Sequence, residues 1–247
     1  MTQRYKIIVE YDGRAFSGWQ RQEDGITTVQ GTLEEAVQKF SGENVTLHVA
    51  GRTDAGVHAL AMVAHFDIER ETSSDEVQGA LNYHVKPHAI AVLSVEAAPE
   101  DFHARISAKQ RHYVYRLLNR RAPSALMPGL VWHVPYALDM QAMQRAANEL
   151  LGKHDFSTFR AADCQAQSPV KTLDAISFER VGDEIQMRVS ARSFLYHQVR
   201  NMIGTLVMVG RGAWTHDDFV AAFKAADRAR GGPTAPPDGL YFERVDY

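Results

Sequence analysis

The hydrophobic and polar positions of the first hundred residues follow two periods, one typical of strands and one typical of helices. The predicted elements are a strand at 5–11, a helix at 28–42, strands at 45–49 and 62–68, a helix at 74–83 and a strand at 90–95. The turn pair Asp12-Gly13 ends the first strand. The pattern of the first helix begins at Thr28, and Gly42 stops it. Ser73 and Glu76 have the spacing of a capping box at the start of the second helix.

The second half of the chain repeats this order of element types. The predicted elements are a strand at 113–118, a helix at 140–151 that Asp139 caps and Gly152 ends, strands at 174–179 and 184–191, helices at 199–207 and 217–226, and a last strand at 240–245. The strands come in adjacent pairs rather than alternating strictly with helices. The pattern therefore predicts an α+β fold of two ferredoxin-like halves, 1–104 and 105–247, with largely antiparallel sheets backed by helices.

Composition narrows the class of protein. The 247 residues are 45% hydrophobic and 23% charged, which is typical of a globular protein with a large core. The single cysteine, Cys164, excludes an intrachain disulfide, and no Cys/His spacing resembles a zinc site. No apolar run approaches the roughly 18 residues of a membrane span, and the first residues lack a secretory signal pattern. We therefore expect a cytoplasmic protein that does not associate with a membrane.

Charge is unevenly distributed along the chain. The formal net charge of -3 argues against a protein that coats nucleic acid nonspecifically. Residues 102–121, the basic segment, nevertheless contain no acidic residue and carry the cations Arg105, Lys109, Arg111, Arg116, Arg120 and Arg121. Such a segment favours phosphate contacts, whose affinity falls with salt as counterions are released. The alternative is a solvated strand face and loop.

The chemistry-bearing candidate is the loop 51–58, Gly-Arg-Thr-Asp-Ala-Gly-Val-His, between two predicted strands. It offers one carboxylate, Asp54, and two side chains that can be cationic, Arg52 and His58. Loops on rigid scaffolds commonly position functional groups. An aspartate in a loop is more often an Asx turn bonded to its own backbone, however. Glycoside hydrolysis generally needs two carboxylates, which this loop does not supply.

The loop 51–58 resembles the signature of the TruA family of tRNA pseudouridine synthases. Further blocks resemble that family in the same order along nearly the whole chain: 11–13, 16, 18–20, 22, 29–30 and 33–34; 102–105 with 113 and 115; 194–204; and 239–241. One departure is Gln198, where an apolar residue is commoner in the family. It leaves the expected activity unchanged. The resemblance implies an active-site cleft between the two halves.

The resemblance also implies roles for individual residues. Asp54 would be the catalytic carboxylate, either attacking C1' of the ribose or stabilising positive charge there and accepting a proton. Arg200 would pair with Asp54 and hold it ionised, because a nearby guanidinium favours the charged form of a carboxyl group. By helical position alone, Arg200 could equally be an ordinary exposed helix residue.

Four further residues are expected to bind the substrate. Tyr113 would stack on the target base and take part in proton removal from C5, although core packing is the alternative for Tyr113 as for Tyr115. Arg52 would help to extrude the uridine. Leu240 would contact the uracil, or be an ordinary strand residue. His58 would contact RNA, or be a loop histidine bonded to the backbone.

The reaction rearranges one nucleoside without net oxidation or group transfer, so we expect no metal, redox cofactor or nucleotide cofactor. The resemblance implies tRNA as the partner, uridines 38, 39 and 40 of the anticodon stem-loop as targets, and a homodimer that binds tRNA jointly. The alternative functions are a noncatalytic RNA-binding protein, which would tolerate Asp54→Asn, and a sugar-processing hydrolase. The hydrolase would need a second carboxylate within about 5 to 10 Å of Asp54.

Overall fold

A computed structural model describes residues 2–23 and 25–247. The chain forms two compact units, the first comprising the residues up to Arg111 together with Tyr241–Tyr247, and the second comprising His112–Leu240. Both units combine sheet and helix, which confirms the predicted α+β class. The first unit takes its last strand from the end of the chain. The predicted domain limits, 1–104 and 105–247, remain a prediction.

The strands and helices of the described residues are numbered in chain order. The strands are β1 (Gln3–Tyr11), β2 (His48–Val49), β3 (His58–Ile68), β4 (Ile90–Ala98), β5 (Gln110–Leu118), β6 (Trp132–His133), β7 (Gly152–Asp155), β8 (Val170–Val181), β9 (Glu184–Ala191) and β10 (Leu240–Asp246). The helices are α1 (Val29–Ser41), α2 (Ser74–His84), α3 (Met140–Asn148), α4 (Gln198–Gly210) and α5 (His216–Lys224).

In the first unit, β1 lies between β4 and β3 and pairs antiparallel with both. The short β2 also pairs antiparallel with β3, whereas β10 pairs parallel with it. Alternate residues of β1, such as Ile7 and Val9, are buried, as the twofold period of a half-buried strand requires. Helix α2 contacts both β4 and α1.

The helix ends of the first unit confirm the predicted signals. The Thr28 side chain accepts a hydrogen bond from the Gly31 N–H at the start of α1. Gly42 ends α1 in the left-handed region, at φ 81°, where a residue without Cβ is favoured. Ser73 and Glu76 form both bonds of the capping box of α2. These ends were predictable because capping is local chemistry.

The second unit contains a sheet in the order β5-β9-β8-β7, with β6 added parallel to β5. The pairs β7–β8 and β8–β9 are antiparallel. Helix α4 contacts α3 and α5 and is buried over nearly its whole length. This burial agrees with its mainly apolar sequence, since a helix that is apolar all round lies inside the protein.

Several predicted elements have other bounds in the structure: β3, β5 and β8 begin three or four residues earlier than predicted, α5 ends at Lys224 rather than at 226, and β6 and β7 were not predicted. Helix α3 ends at Asn148 rather than at 151, and Gly152, the predicted helix stop, is the first residue of β7. Leu150 and Leu151 continue the chain in a tight turn of i to i+3 bonds. Leu150 is fully buried there, so its apolar character did not reveal the change of structure. The strand predicted at 45–49 is reduced to the two residues of β2.

A histidine cluster, formed by His48, His65 and His103, lies in the first unit. The ring centroid of His65 lies 5.0 Å from that of His48 and 4.7 Å from that of His103. His65 is 1% exposed. Burial, followed by the neighbouring His103, lowers the pKa of His65 from 6.5 to about 4. Burial likewise lowers the pKa of His103.

The low pKa of His65 predicts a loss of stability in acid. The folded state binds a proton at His65 less readily than the unfolded state does. The neutral His65 ring therefore contributes fully to the free energy of unfolding above pH 6.5, and this contribution is lost as the pH falls towards 4. The total loss is about 3 kcal/mol. Urea unfolding of wild type and His65→Gln at several pH values measures it, with His216→Gln as an exposed control. Identical pH dependence in wild type and His65→Gln would contradict the prediction.

Candidate active-site loop and its supports

The predicted catalytic residue lies on the loop that joins β2 to β3. Asp54 is half-buried and Arg52 is exposed. The Val57 N–H donates to the Asp54 backbone oxygen at 3.1 Å, which closes a tight turn over 54–57. The loop thus holds a partly accessible carboxylate in a defined backbone conformation. Such a group can act as a base or a nucleophile, or it can stabilise positive charge.

The Asp54 loop is bonded to the segment that follows β1. The Trp19 N–H donates to the Thr53 backbone oxygen at 3.0 Å, and the Gly56 N–H donates to the Phe16 oxygen at 3.3 Å. The Tyr11 hydroxyl and the Thr53 hydroxyl share a hydrogen bond of 2.8 Å. Residues on both sides of Asp54 are therefore held by the 11–19 segment.

Two glycines allow this close approach. Gly18 has φ +92°, and a Cβ at this position would lie 2.7 Å from the Thr53 oxygen. A Cβ on Gly13 would overlap the Val57 carbonyl. Sequence reasoning assigned Asp12-Gly13 to a turn and did not recognise either glycine as a support of Asp54. The available signal was the glycine pair within the N-terminal block of the family resemblance.

Arg111 also supports the loop, although the sequence placed it among candidate phosphate ligands. Its Nε and Nη2 donate to the Ala50 oxygen at 3.0 and 2.8 Å, and Nη2 also donates to the Arg105 oxygen. The Arg111 side chain is buried, and it supplies hydrogen-bond donors to the Ala50 carbonyl, where the chain enters the loop. This cation is therefore a structural residue.

Two other cations of the basic segment are paired within the second unit. Arg116 donates to both carboxylate oxygens of Glu184, at 2.9 and 2.7 Å. Arg120 forms an ion pair with Asp183 at 3.0 Å. Phosphate contacts by the exposed Arg105, Lys109 and Arg121 remain a prediction.

His58, the remaining candidate of the first unit, is the first residue of β3 and is 1% exposed. Its Nδ1 accepts a hydrogen bond from the Gly13 N–H at 3.1 Å. The backbone-bonded alternative raised from the sequence is therefore realised in the fold.

The second unit holds the other predicted site residues. Tyr113 on β5 is 9% exposed, and its ring meets that of Phe194 edge to face with centroids 5.1 Å apart. Arg200 on α4 donates from Nε to the Ala235 oxygen at 2.9 Å, and the Ala235 N–H donates to the Arg200 oxygen at 3.1 Å. Arg200 is thus anchored at its backbone and side chain, unlike an ordinary exposed helix residue.

Tyr115 holds the segment that leads to Leu240. It is completely buried, and its hydroxyl donates to the Pro236 oxygen at 2.7 Å. Burial raises the pKa of Tyr115 well above its usual value. A Cβ on Gly239 would lie 2.6 Å from the Tyr115 ring. The close packing at Gly239 places the buried Leu240 at the start of β10.

Tyr115→Phe should destabilise the protein by about 1 to 3 kcal/mol, because the partly buried Pro236 carbonyl would lose its hydrogen-bond partner. Chemical denaturation measures this change. Tyr83→Phe is the matched control, since Tyr83 is 70% exposed, and it should change stability by less than about 0.5 kcal/mol. Equal effects of the two variants would contradict the structural role of the Tyr115 hydroxyl.

Within the described residues, no group of three or more His, Cys, Asp or Glu side chains is arranged to hold a metal ion. Over the same part of the chain, no helix has the length and hydropathy needed to cross a membrane.

Comparison with known proteins agrees with the motif resemblance. The family described as tRNA pseudouridine synthase matches residues 7–106 and 146–247. A protein named tRNA pseudouridine synthase A from Rhodospirillum centenum is 59% identical over 99% of this chain and 100% of its own length. Proteins of the same name from Paramagnetospirillum magneticum and Maricaulis maris are each 57% identical over 99% of this chain, and over 95% and 98% of their own lengths. The chain therefore belongs to the tRNA pseudouridine synthase family.

Proposed function

We propose that this protein isomerises uridine to pseudouridine at positions 38, 39 and 40 in the anticodon stem-loop of tRNA, with Asp54 as its catalytic carboxylate. The observation that carries the proposal is the anchored loop of Asp54, in a chain of this family. Hydrogen bonds from Trp19 and to Phe16 hold the residues on either side of Asp54. The carboxylate is thereby presented on a preorganised support.

The reaction explains why one fixed carboxylate suffices. The bond from C1' to N1 of uracil breaks, the base turns, and C1' bonds to C5. The C5 proton then leaves and N1 gains a proton, so the product is an isomer of the substrate. Positive charge develops at C1' as the first bond breaks, so an ionised oxygen beside C1' stabilises the transition state or bonds to that carbon. Both routes assign the same position and charge to Asp54.

The other residues supply binding and orientation in this proposal. Tyr113 stacks on the extruded base, and such stacking is worth about 1 to 3 kcal/mol. Arg200 pairs with Asp54, Arg52 helps to extrude the uridine, and Leu240 contacts the uracil. Anchoring of Arg200 by Ala235 supports its role, because a fixed guanidinium orients a carboxylate better than a mobile one.

We further propose that the protein works in the cytoplasm as a homodimer that binds tRNA jointly, and that it needs no cofactor. The family supports tRNA as the partner. The two halves, 1–104 and 105–247, are proposed as domains that contribute Asp54 and the Tyr113–Arg200 pair respectively.

The test uses purified protein and unmodified tRNA transcripts labelled with tritium at C5 of uridine. We expect tritium release, and we expect none from a control transcript with cytidine at positions 38, 39 and 40. Release from both transcripts would contradict the site assignment. Tight tRNA binding without release would favour the noncatalytic RNA-binding alternative.

A further inference from the structure

His58 lies buried at a junction of three segments of the first unit. Its Nδ1 bonds to the Gly13 N–H, as described above. Its ring stacks on Tyr241 with centroids 4.6 Å apart and planes 22° from parallel. Tyr241 belongs to β10, which pairs with β3 at His58 itself. One imidazole therefore joins β3, β10 and the turn after β1.

The contact with Gly13 defines the charge state that this junction requires. A ring nitrogen that accepts an N–H bond must carry a lone pair, so the Gly13 bond requires a neutral ring whose proton is on Nε2. Asp12 Oδ1 lies 3.3 Å from Nδ1, and both Asp12 carboxylate oxygens accept bonds from Arg14 Nε. Protonation of Nδ1 would exchange the Gly13 bond for an ion pair with Asp12.

Gly13 connects His58 to the catalytic loop. The α-carbon of Gly13 lies so close to the Val57 carbonyl that no Cβ could be accommodated. Val57 in turn donates its N–H to the Asp54 oxygen. A displacement of Gly13 would therefore reach Asp54 through one backbone contact and one hydrogen bond.

We propose that His58 is a positioning residue for the isomerisation: its neutral ring, as an acceptor at Nδ1, holds Gly13 against Val57 and keeps the Asp54 carboxylate in register with C1' of the substrate. This inference rests on the proposed function, in which Asp54 is the catalytic carboxylate. It differs from the direct RNA contact that the resemblance implied for His58, because the side chain has almost no exposed surface.

Two substitutions of His58 test the roles of its acceptor nitrogen and of its aromatic ring separately. His58→Asn retains an acceptor oxygen close to the place of Nδ1, whereas His58→Phe retains the stack on Tyr241 and removes the acceptor. We expect kcat to fall about 100-fold in His58→Phe, the cost of a small misplacement of a catalytic group, with the tRNA dissociation constant unchanged. We expect His58→Asn to recover most of kcat. His216→Asn is the exposed control and should behave as wild type.

Equal kcat values for His58→Asn and His58→Phe would overturn the inference, as would a loss confined to tRNA binding. Long-range proton–nitrogen NMR of wild-type protein gives a reading that does not depend on how the variants fold. It should show Nδ1 unprotonated at the pH of the assay, and a protonated Nδ1 would overturn the inference. If wild-type protein released no tritium, both the proposed function and this inference would be wrong. If wild-type protein were active but His58→Asn and His58→Phe had equal kcat values, only this inference would be wrong.

Discussion

Asp54→Asn should bind tRNA as wild type does and lose turnover by at least about 1,000-fold. The amide has nearly the shape of the carboxylate but carries no negative charge, so it neither stabilises positive charge at C1' nor attacks that carbon. The backbone oxygen of Asp54 accepts the Val57 bond independently of the side chain. The loop should therefore keep its conformation, and the loss should appear in kcat. Single-turnover tritium release and tRNA filter binding measure the two effects separately.

A matched control for this variant is Asp217→Asn. The Asp217 side chain is fully exposed in the first turn of α5, so its removal should leave turnover within about twofold of wild type. If Asp54→Asn retained wild-type turnover, the carboxylate mechanism would be wrong. If the variant lost tRNA binding together with turnover, Asp54 would be a binding residue rather than the reacting group.

Gly18→Ala should have the second largest effect, through the support of the same loop. The new Cβ would lie 2.7 Å from the Thr53 oxygen and 3.2 Å from the Ala55 nitrogen. Both neighbours are backbone atoms that flank Asp54, so the loop itself must move. We expect kcat to fall about 100-fold. The positive φ and the overlap should together cost about 2 to 4 kcal/mol of stability. Steady-state kinetics and urea unfolding provide the two measurements.

Gly25→Ala is a control that separates the effect of backbone strain from the effect of the contact between Gly18 and Thr53. Gly25 has φ +90°, close to that of Gly18, but a Cβ there would meet no atom within 4 Å. Its alanine variant should lose about 1 kcal/mol of stability from the left-handed conformation alone, with no change in kcat. Similar kinetics for the two alanine variants would show that the approach of Gly18 to Thr53 does not position Asp54.

The contacts around Asp54 bring two of the family's motif blocks together. Tyr11, Gly13, Gly18 and Trp19 stand in one block of the sequence and Thr53 in another, more than thirty residues later. In the fold, Thr53 bonds to Tyr11 and Trp19 and lies against Gly18, whereas Gly13 lies against Val57 of the same later block. A motif that reads as two separate signatures is thus one structural unit around one carboxylate.

The sequence by itself determined the elements whose cause is local. Thr28 and Gly42 bound α1 as predicted, because a cap needs only its own turn of helix. The strand alternation and the capping box at Ser73 were equally readable. The catalytic candidate Asp54 was found from its motif, since the family resemblance covers that loop.

Tertiary structure alone decided the roles that depend on distant backbone. The end of α3 could not be read from periodicity, because Leu150 is buried whether it continues a helix or leaves one. The sequence suggested Arg111 as a phosphate ligand, whereas in the structure its guanidinium donates to the Ala50 oxygen. His58 and Gly18 owe their roles to atoms about 35 to 45 residues away in the chain. Contacts between residues so far apart in the chain cannot be predicted from local sequence, because they form only when the strands and loops pack together.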